Sequence, residues 1–200
     1  MTSCPKRVVL TPPEAPATAP RRALLLDRDG VINVNHGYVH TAERTDWVPG
    51  IFELCSAASA RGYLLVVVTN QAGIGRGYYS EADFDAYTRW MAEQFRSRGI
   101  ELAAVYYCPH HPEAGVGEYQ QECPCRKPSP GMLLAASADY DIDLSQSLMI
   151  GDKCSDMQAG AQAGVAQLFL LDDEETCTLD NARKAVRLSH LDEARALILS

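Results

Sequence analysis

The chain has 200 residues, 46% apolar and 22% charged, which is enough to bury a sizeable core and too apolar for global disorder. Its 26 acidic and 18 basic residues give a net charge of −8, which argues against a nucleic-acid binder. The strongly apolar run Tyr63 to Val68 is far short of the roughly 18 residues of a membrane span.

Residues 1–20 hold five of the eleven prolines and read as a disordered or extended leader. Pro12 and Pro13 cut short the run Val8-Val9-Leu10, so no secretory signal core forms. The expected compartment is the cytoplasm, where the seven cysteines stay reduced. Ala23–Leu26 is a short apolar run ending at Asp27 and suits a strand buried on both faces. Gly50 to Arg61 reads as a helix with Ile51, Leu54, Cys55 and Ala58 on one face. Leu64 to Val68 is a second buried strand and leads into Thr69-Asn70. Gly73, Gly75 and Gly77 read as a flexible loop covering the substrate; their G-x-G-x-G spacing, away from the first strand, is not the G-x-G-x-x-G of a dinucleotide-binding turn. Ser80, with Asp83 three residues later, caps a long helix whose apolar side is Ala82, Phe84, Tyr87, Trp90, Met91 and Phe95. Ala104–Tyr107 is a third strand, and Pro130 starts a helix to about Tyr140. Ser147–Ile150 is a fourth strand and runs into Gly151-Asp152. Met157–Ala163 is a short helix, Ala166–Leu171 a fifth strand, and residues 176–200 a helical tail.

This alternation predicts one α/β domain over residues 21–175, a Rossmann-like parallel sheet with helices on both faces. The gap from Gly30 to Gly50 and the insert 108–125 are too short for a large cap domain. Ligands of such sheets sit beyond the carboxyl ends of the strands, where Asp27, Asp29, Thr69, Asn70, Asp152 and Asp156 fall.

Paired carboxylates such as Asp27 and Asp29 can hold a hard cation, or serve as nucleophile and general acid–base. Asp152 and Asp156 add two more, and carboxylates gathered this way repel one another unless a cation neutralises them, so Mg²⁺ is expected. Cys108-Pro109-His110 and Cys123-Pro124-Cys125 offer three thiolates and an imidazole, a complete tetrahedral set for a structural Zn²⁺, with His111 as an alternative to His110. Cys4, Cys55, Cys154 and Cys177 show no partner pattern and read as ordinary thiols. Arg126 and Lys127 directly follow the last of these donors, so the metal would fix two cations beside the site.

Leu25-Leu26-Asp27-Arg28-Asp29-Gly30-Val31 resembles the first motif of the haloacid dehalogenase superfamily of phosphohydrolases. Val67-Val68-Thr69-Asn70-Gln71 is similar to the second, Lys127-Pro128 to the third, and Met149 to Asp156 to the fourth, in the family's order. The resemblance implies that Asp27 attacks phosphorus to form an aspartyl-phosphate. Asp29 would protonate the leaving alcohol and then help deprotonate the hydrolytic water. Mg²⁺ would be held by the carboxylates of Asp27 and Asp152 and the backbone carbonyl of Asp29. Lys127 and the Thr69 hydroxyl would bind the phosphoryl oxygens, with Asp156 positioning Lys127 or a metal-bound water. The resemblance also favours Cys108, His110, Cys123 and Cys125 as the zinc ligands.

Asn33 to Val39, Gly73 to Gly77 and Cys108 to Pro112 resemble the branch of this superfamily that dephosphorylates heptose bisphosphates and histidinol phosphate. This implies substrate contacts from Asn35, His36, Gly37 and Tyr38, together with Thr69, Asn70, Gln71, Arg126, Lys127 and Lys153. Asn35 stands where an Asp is common in that branch, and Arg76 is a further candidate for a second phosphate. The implied activity is Mg²⁺-dependent removal of the 7-phosphate of a heptose 1,7-bisphosphate, in the supply of activated heptose for lipopolysaccharide core. The expected partner is a small phosphorylated sugar, with no nucleic acid and no membrane, and the expected state is a monomer. Arg126 as a second-anion partner favours a bisphosphate over histidinol phosphate, whose amine would want an acidic pocket. The rival of another class is a zinc-stabilised, non-catalytic binding module, against which the joint presence of Asp27, Asp29, Thr69, Lys127 and Asp152 argues.

Overall fold

A computed structural model of the chain describes residues 4–12, 20–171, 177 and 185–199. The elements run β1 (Lys6–Val9), β2 (Ala23–Leu26), α1 (Ile51–Ala60), β3 (Leu64–Asn70), α2 (Ala72–Gly75), α3 (Glu81–Arg96), β4 (Leu102–Cys108), α4 (Gly131–Tyr140), β5 (Leu148–Gly151), α5 (Cys154–Ala163), β6 (Gln167–Leu171), β7 (Val186–Leu188) and α6 (Leu191–Leu199). The strands form one sheet in the order β1-β4-β3-β2-β5-β6-β7, parallel except for the β1–β4 pair.

All five expected strands are present, and the sheet is covered on both faces, as the apolar runs require. Leu24 and Leu26 of β2 join Leu65 and Val67 of β3 under α1, α3 and α6. Ala23 and Leu25, one residue out of phase, join Val66 and Val68 under α4 and α5. The face read for α1 is the buried one. On α3 the capping box forms, with Asp83 N donating to Ser80 Oγ at 3.1 Å and Ser80 N to Asp83 Oδ2 at 2.8 Å. Ala82 is exposed instead of buried, and Thr88 and Ala92 take its place against the core.

Both ends of the chain depart from expectation. The segment read as a leader contributes β1, an antiparallel edge strand that covers β4, whose seven residues are all buried. Side-chain ion pairs hold it, Lys6 to Glu81 and Arg7 to Asp139. Residues 13–19 of that segment lie outside the described residues. The expected helical tail is a strand, β7, parallel to β6, followed by the single helix α6, with Leu188, Leu191, Ala194 and Ile198 buried in the core. These two elements therefore belong to the domain. Among the described residues no helix is long and apolar enough to cross a membrane.

Candidate active site

Strands β2, β3 and β5 end at one edge of the sheet, and the chemistry-bearing residues follow them. Asp27 leaves β2 with its N–H still bonded to the Ile150 carbonyl at 2.9 Å. Carboxylate oxygens of Asp27, Asp152 and Asp156 lie within 4.8 Å of one another. Lys127, from the loop before α4, enters this cluster almost fully buried. Its ammonium donates to Asp27 Oδ1 at 2.8 Å and to the Val68 carbonyl at 2.8 Å, and pairs with Asp156 Oδ1 at 2.5 Å. Asn70 fixes the Lys127 backbone from β3. It accepts from Lys127 N at 3.1 Å and donates to Lys127 O at 3.0 Å, so its side-chain amide is occupied in positioning that lysine.

Two carboxylates, Asp27 and Asp156, thus share one buried ammonium, with the Asp152 carboxylate close beside them. Burial alone would push the Asp27 carboxyl up, but Lys127 outweighs it and holds Asp27 below the usual carboxylate value. For Asp156 burial wins over Lys127 and the value rises. Asp152 is pushed up to about 7, first by burial and then by Asp27, while Lys153 at 3.5 Å offsets only part of this. Asp152 Oδ1 is buried with no hydrogen-bond partner. An unsatisfied carboxylate oxygen among further carboxylates is an all-oxygen donor set, which fits a hard divalent cation such as Mg²⁺.

The pH dependence follows from Asp152. Its folded value of about 7 lies above the ordinary 3.8, so metal-free protein takes up a proton on folding and loses stability as pH rises between those values. Mg²⁺ competes with that proton. Saturating Mg²⁺ should therefore raise Tm by about 5 °C or more at pH 8 and clearly less at pH 5. Thermal melts at the two pH values check this, and equal shifts would refute it.

Asp29 occupies a different setting. Arg28 Nη2 donates to both its oxygens, at 2.7 and 2.9 Å, with Asn33 Nδ2 at 3.1 Å and Gln71 Nε2 at 3.1 Å completing the ring. Arg28 is itself fully buried, its guanidinium 5.5 and 5.1 Å from the ring centroids of Phe84 and Tyr87. Gly30 follows with φ +98°, and a Cβ there would meet Asp152 Oδ2 at 2.3 Å; only glycine lets this turn approach the carboxylate. The Thr69 hydroxyl accepts from Gln71 Nε2 at 2.8 Å, and Gln71 Oε1 accepts from the Tyr79 hydroxyl at 2.7 Å.

These groups open onto a cavity of about 630 Å³, a size typical of small-ligand sites. Asp27, Asp29, Thr69, Asn70, Gln71, Lys127 and Asp156 line its depth, with Arg126, Lys153, Asn35, Gly37 and Tyr38 around them. His36 is not among the lining residues, because its ring bonds Asp46 Oδ2 at 2.7 Å. Arg76 is also absent from the lining, with its guanidinium 5.8 Å from the Tyr38 ring. The Gly73–Gly77 stretch is not a loop throughout. It begins as the short helix α2, in which a Cβ on Gly73 would meet the Tyr79 ring at 2.3 Å. Sequence reasoning did not single out Tyr79 and Ser155 as lining residues, or Arg28 as the partner of Asp29. The one available signal was a charged residue, Arg28, between two aspartates just after a fully apolar strand.

The expected thiols and imidazole come together, with Cys4 beside them. Donor atoms of Cys4, Cys108, His110 and Cys123 lie within 4.8 Å of one another, a soft sulfur and imidazole set suited to zinc. Cys4, read as an ordinary thiol, is thus part of it. Cys125 is buried and interacts with the Cys4 and Cys123 thiols, but is not in that mutually close set. His110 Nδ1 lies 3.7 Å from Cys108 Sγ, whereas His111 Nδ1 accepts the backbone N–H groups of Glu113 and Ala114. Arg126 Nη1 donates to the His110 carbonyl at 3.1 Å, which ties this cluster to the cavity. Cys154 and Cys177, also read as ordinary thiols, are joined in a disulfide.

Comparison with known proteins agrees with this geometry. A family model described as HAD-hydrolase-like matches residues 124–194. D-glycero-alpha-D-manno-heptose-1,7-bisphosphate 7-phosphatase of Burkholderia mallei is 54% identical over 165 residues, 82% of this chain and 87% of that protein. The beta-heptose counterpart of Vibrio cholerae is 51% identical over 149 residues, 74% of this chain and 80% of that protein. Among solved structures, a HAD-like phosphatase from Mesorhizobium loti superposes with a TM-score of 0.81 at 37% identity, covering 94% of this chain and 88% of that one. D,D-heptose 1,7-bisphosphate phosphatase from B. bronchiseptica, complexed with magnesium and phosphate, superposes with a TM-score of 0.76 at 27% identity, covering 89% and 98%. With motif order, sheet topology, carboxylate cluster and half-identical relatives in agreement, the chain belongs to the D-glycero-D-manno-heptose-1,7-bisphosphate 7-phosphatase family of HAD-like hydrolases.

Proposed function

We propose that the chain hydrolyses the 7-phosphate ester of D-glycero-D-manno-heptose 1,7-bisphosphate through an aspartyl-phosphate on Asp27. The observation that carries this reading is a carboxylate held ionised by a buried lysine, beside two further carboxylates, at the end of a sugar-sized cavity that also carries Arg126 and Lys153. The names of the half-identical relatives support the substrate. An Asp27 oxygen attacks phosphorus and the phosphorus–oxygen ester bond breaks. Asp29 gives its proton to the departing sugar oxygen, then takes one from the water that attacks the acyl phosphate and frees inorganic phosphate. To carry that proton, Asp29 must release one of the donors that now ring it. Gln71, a neutral amide at 3.1 Å, gives way more readily than the Arg28 salt bridge.

Lys127 and the Thr69 hydroxyl bind the equatorial phosphoryl oxygens, Asp156 keeps Lys127 in place, and Arg126 meets the second phosphate. The Asp27 and Asp152 carboxylates and the Asp29 carbonyl would hold Mg²⁺, which when bound would supply further neutralisation of charge on the transferring group. The Cys/His cluster would hold a structural Zn²⁺, which would order the 108–125 loop and with it Arg126 and Lys127. These roles require neither nucleic acid nor membrane, and a cytoplasmic monomer fits them.

A substrate panel tests the reading. Both anomers of heptose 1,7-bisphosphate, histidinol phosphate and fructose 1,6-bisphosphate would be compared by phosphate release, with Mg²⁺ and with a chelator. The heptose bisphosphates should show the highest kcat/KM, and the chelator should abolish turnover. Preference for histidinol phosphate would overturn the substrate.

A further inference from the structure

We propose that Tyr79 is a positioning residue whose hydroxyl fixes the Gln71 side-chain amide in one orientation, which leaves the hydrogens of Thr69 and of protonated Asp29 for the substrate. The proposal rests on the functional reading above and deepens it, since Tyr79 lies outside the motifs that carry that reading.

Gln71 follows β3 and is buried, with its backbone N–H bonded to the Cys108 carbonyl at the end of β4 at 2.8 Å. The two ends of its amide face different partners. Nε2 donates to Thr69 Oγ1 at 2.8 Å and to Asp29 Oδ2 at 3.1 Å. Oε1 accepts from the Tyr79 hydroxyl at 2.7 Å. Packing holds Tyr79 in place. It is buried, its ring stacks on His40 with centroids 4.4 Å apart, and it fills the space that a Cβ on Gly73 would need. Burial pushes the phenol up to about 12, so the hydroxyl keeps the hydrogen it donates. The Arg28 guanidinium, a group with donors only, lies beside the same hydroxyl. It engages the phenol oxygen as an acceptor and leaves the hydrogen for Gln71.

An amide that turns over exchanges its oxygen and nitrogen with almost no change of shape. While Asp29 is ionised it opposes that turn, because the amide oxygen would then face a carboxylate oxygen. Once Asp29 carries a proton, this opposition is gone. A turned Gln71 would accept the hydrogen bonds of both protonated Asp29 and Thr69. The two hydrogens would then point at Gln71, away from the departing sugar oxygen and the phosphoryl oxygens. The Tyr79 hydroxyl holds the orientation through this step, so Gln71 releases Asp29 while keeping its contacts to Thr69 and Tyr79.

The test uses the full chain with Mg²⁺ and heptose 1,7-bisphosphate. Tyr79→Phe keeps the ring against Gly73 and His40 and removes only the hydroxyl. Its kcat should fall about tenfold while KM changes by less than about twofold, because the loss lies in hydrogens delivered during the reaction and not in the shape of the cavity. Gln71→Leu has no amide to turn, so adding Tyr79→Phe to it should leave kcat unchanged. A Tyr79→Phe kcat within about twofold of wild type, a loss carried by KM, or losses that multiply in the double variant would each overturn the inference. Wild-type protein that releases no phosphate from this substrate would overturn the functional reading as well, whereas equal turnover by wild type and Tyr79→Phe would overturn this inference alone.

Discussion

Asp27→Asn should abolish phosphate release, with kcat falling by about 10⁴-fold or more, while the protein stays folded. The substitution keeps the side-chain volume, and the amide oxygen can still accept from Lys127, which also retains its partner Asp156. It removes the anion that attacks phosphorus. It also removes one of the two anions paired with the buried Lys127 ammonium, and because the ionised Asp27 is the form the folded state favours, Tm should fall by a few degrees. Phosphate release, a thermal melt and the mass of acid-quenched protein check this together. Wild type should show a phosphorylated species during turnover and the variant none. Activity near wild type in the folded variant would show that another group attacks.

Lys127→Met should cost both stability and activity. Removing a buried partner from two buried carboxylates typically costs about 3–5 kcal/mol, a fall in Tm of roughly 10 °C for a chain of this size. The methylene stem is kept, so packing changes little and the loss reports the charge. Without the ammonium, Asp27 and Asp156 both shift upward, and their folded values exceed those of the unfolded chain. Stability is then lost as pH rises, so the variant should be closer to wild type at pH 5 than at pH 8. Mg²⁺ should restore part of the Tm but not the turnover, because Lys127 also serves the phosphoryl oxygens. A deficit that is the same at every pH would show that this lysine acts through packing alone.

The motifs on β2, β3 and β5 were legible because each is local. A short apolar run buried on both faces ends where its first carboxylate or Thr-Asn pair begins, and parallel strands bring those ends to one edge. Asp27 and Asp152 are 125 positions apart in sequence, yet the strands that carry them are neighbours. His36 does not line the cavity, because neighbours in a loop need not point the same way. Asn35, Gly37 and Tyr38 line the cavity while the His36 ring pairs with Asp46. Asn70 lines the cavity, but its amide is engaged by Lys127, a contact across 57 residues.

From the amino-acid order alone come the alternating α/β pattern, the carboxylates at strand ends and the soft donors of the 108–125 loop, because each depends on periodicity or on spacing within a few residues. Tertiary structure decided that Lys127 lies between Asp27 and Asp156, that Arg28 turns to Asp29, and that Cys4 reaches the thiol cluster through an edge strand. Those outcomes depend on strand order, on the register of a pair some hundred residues apart, and on the desolvation that makes one buried charge seek another. A sequence read one segment at a time contains none of these.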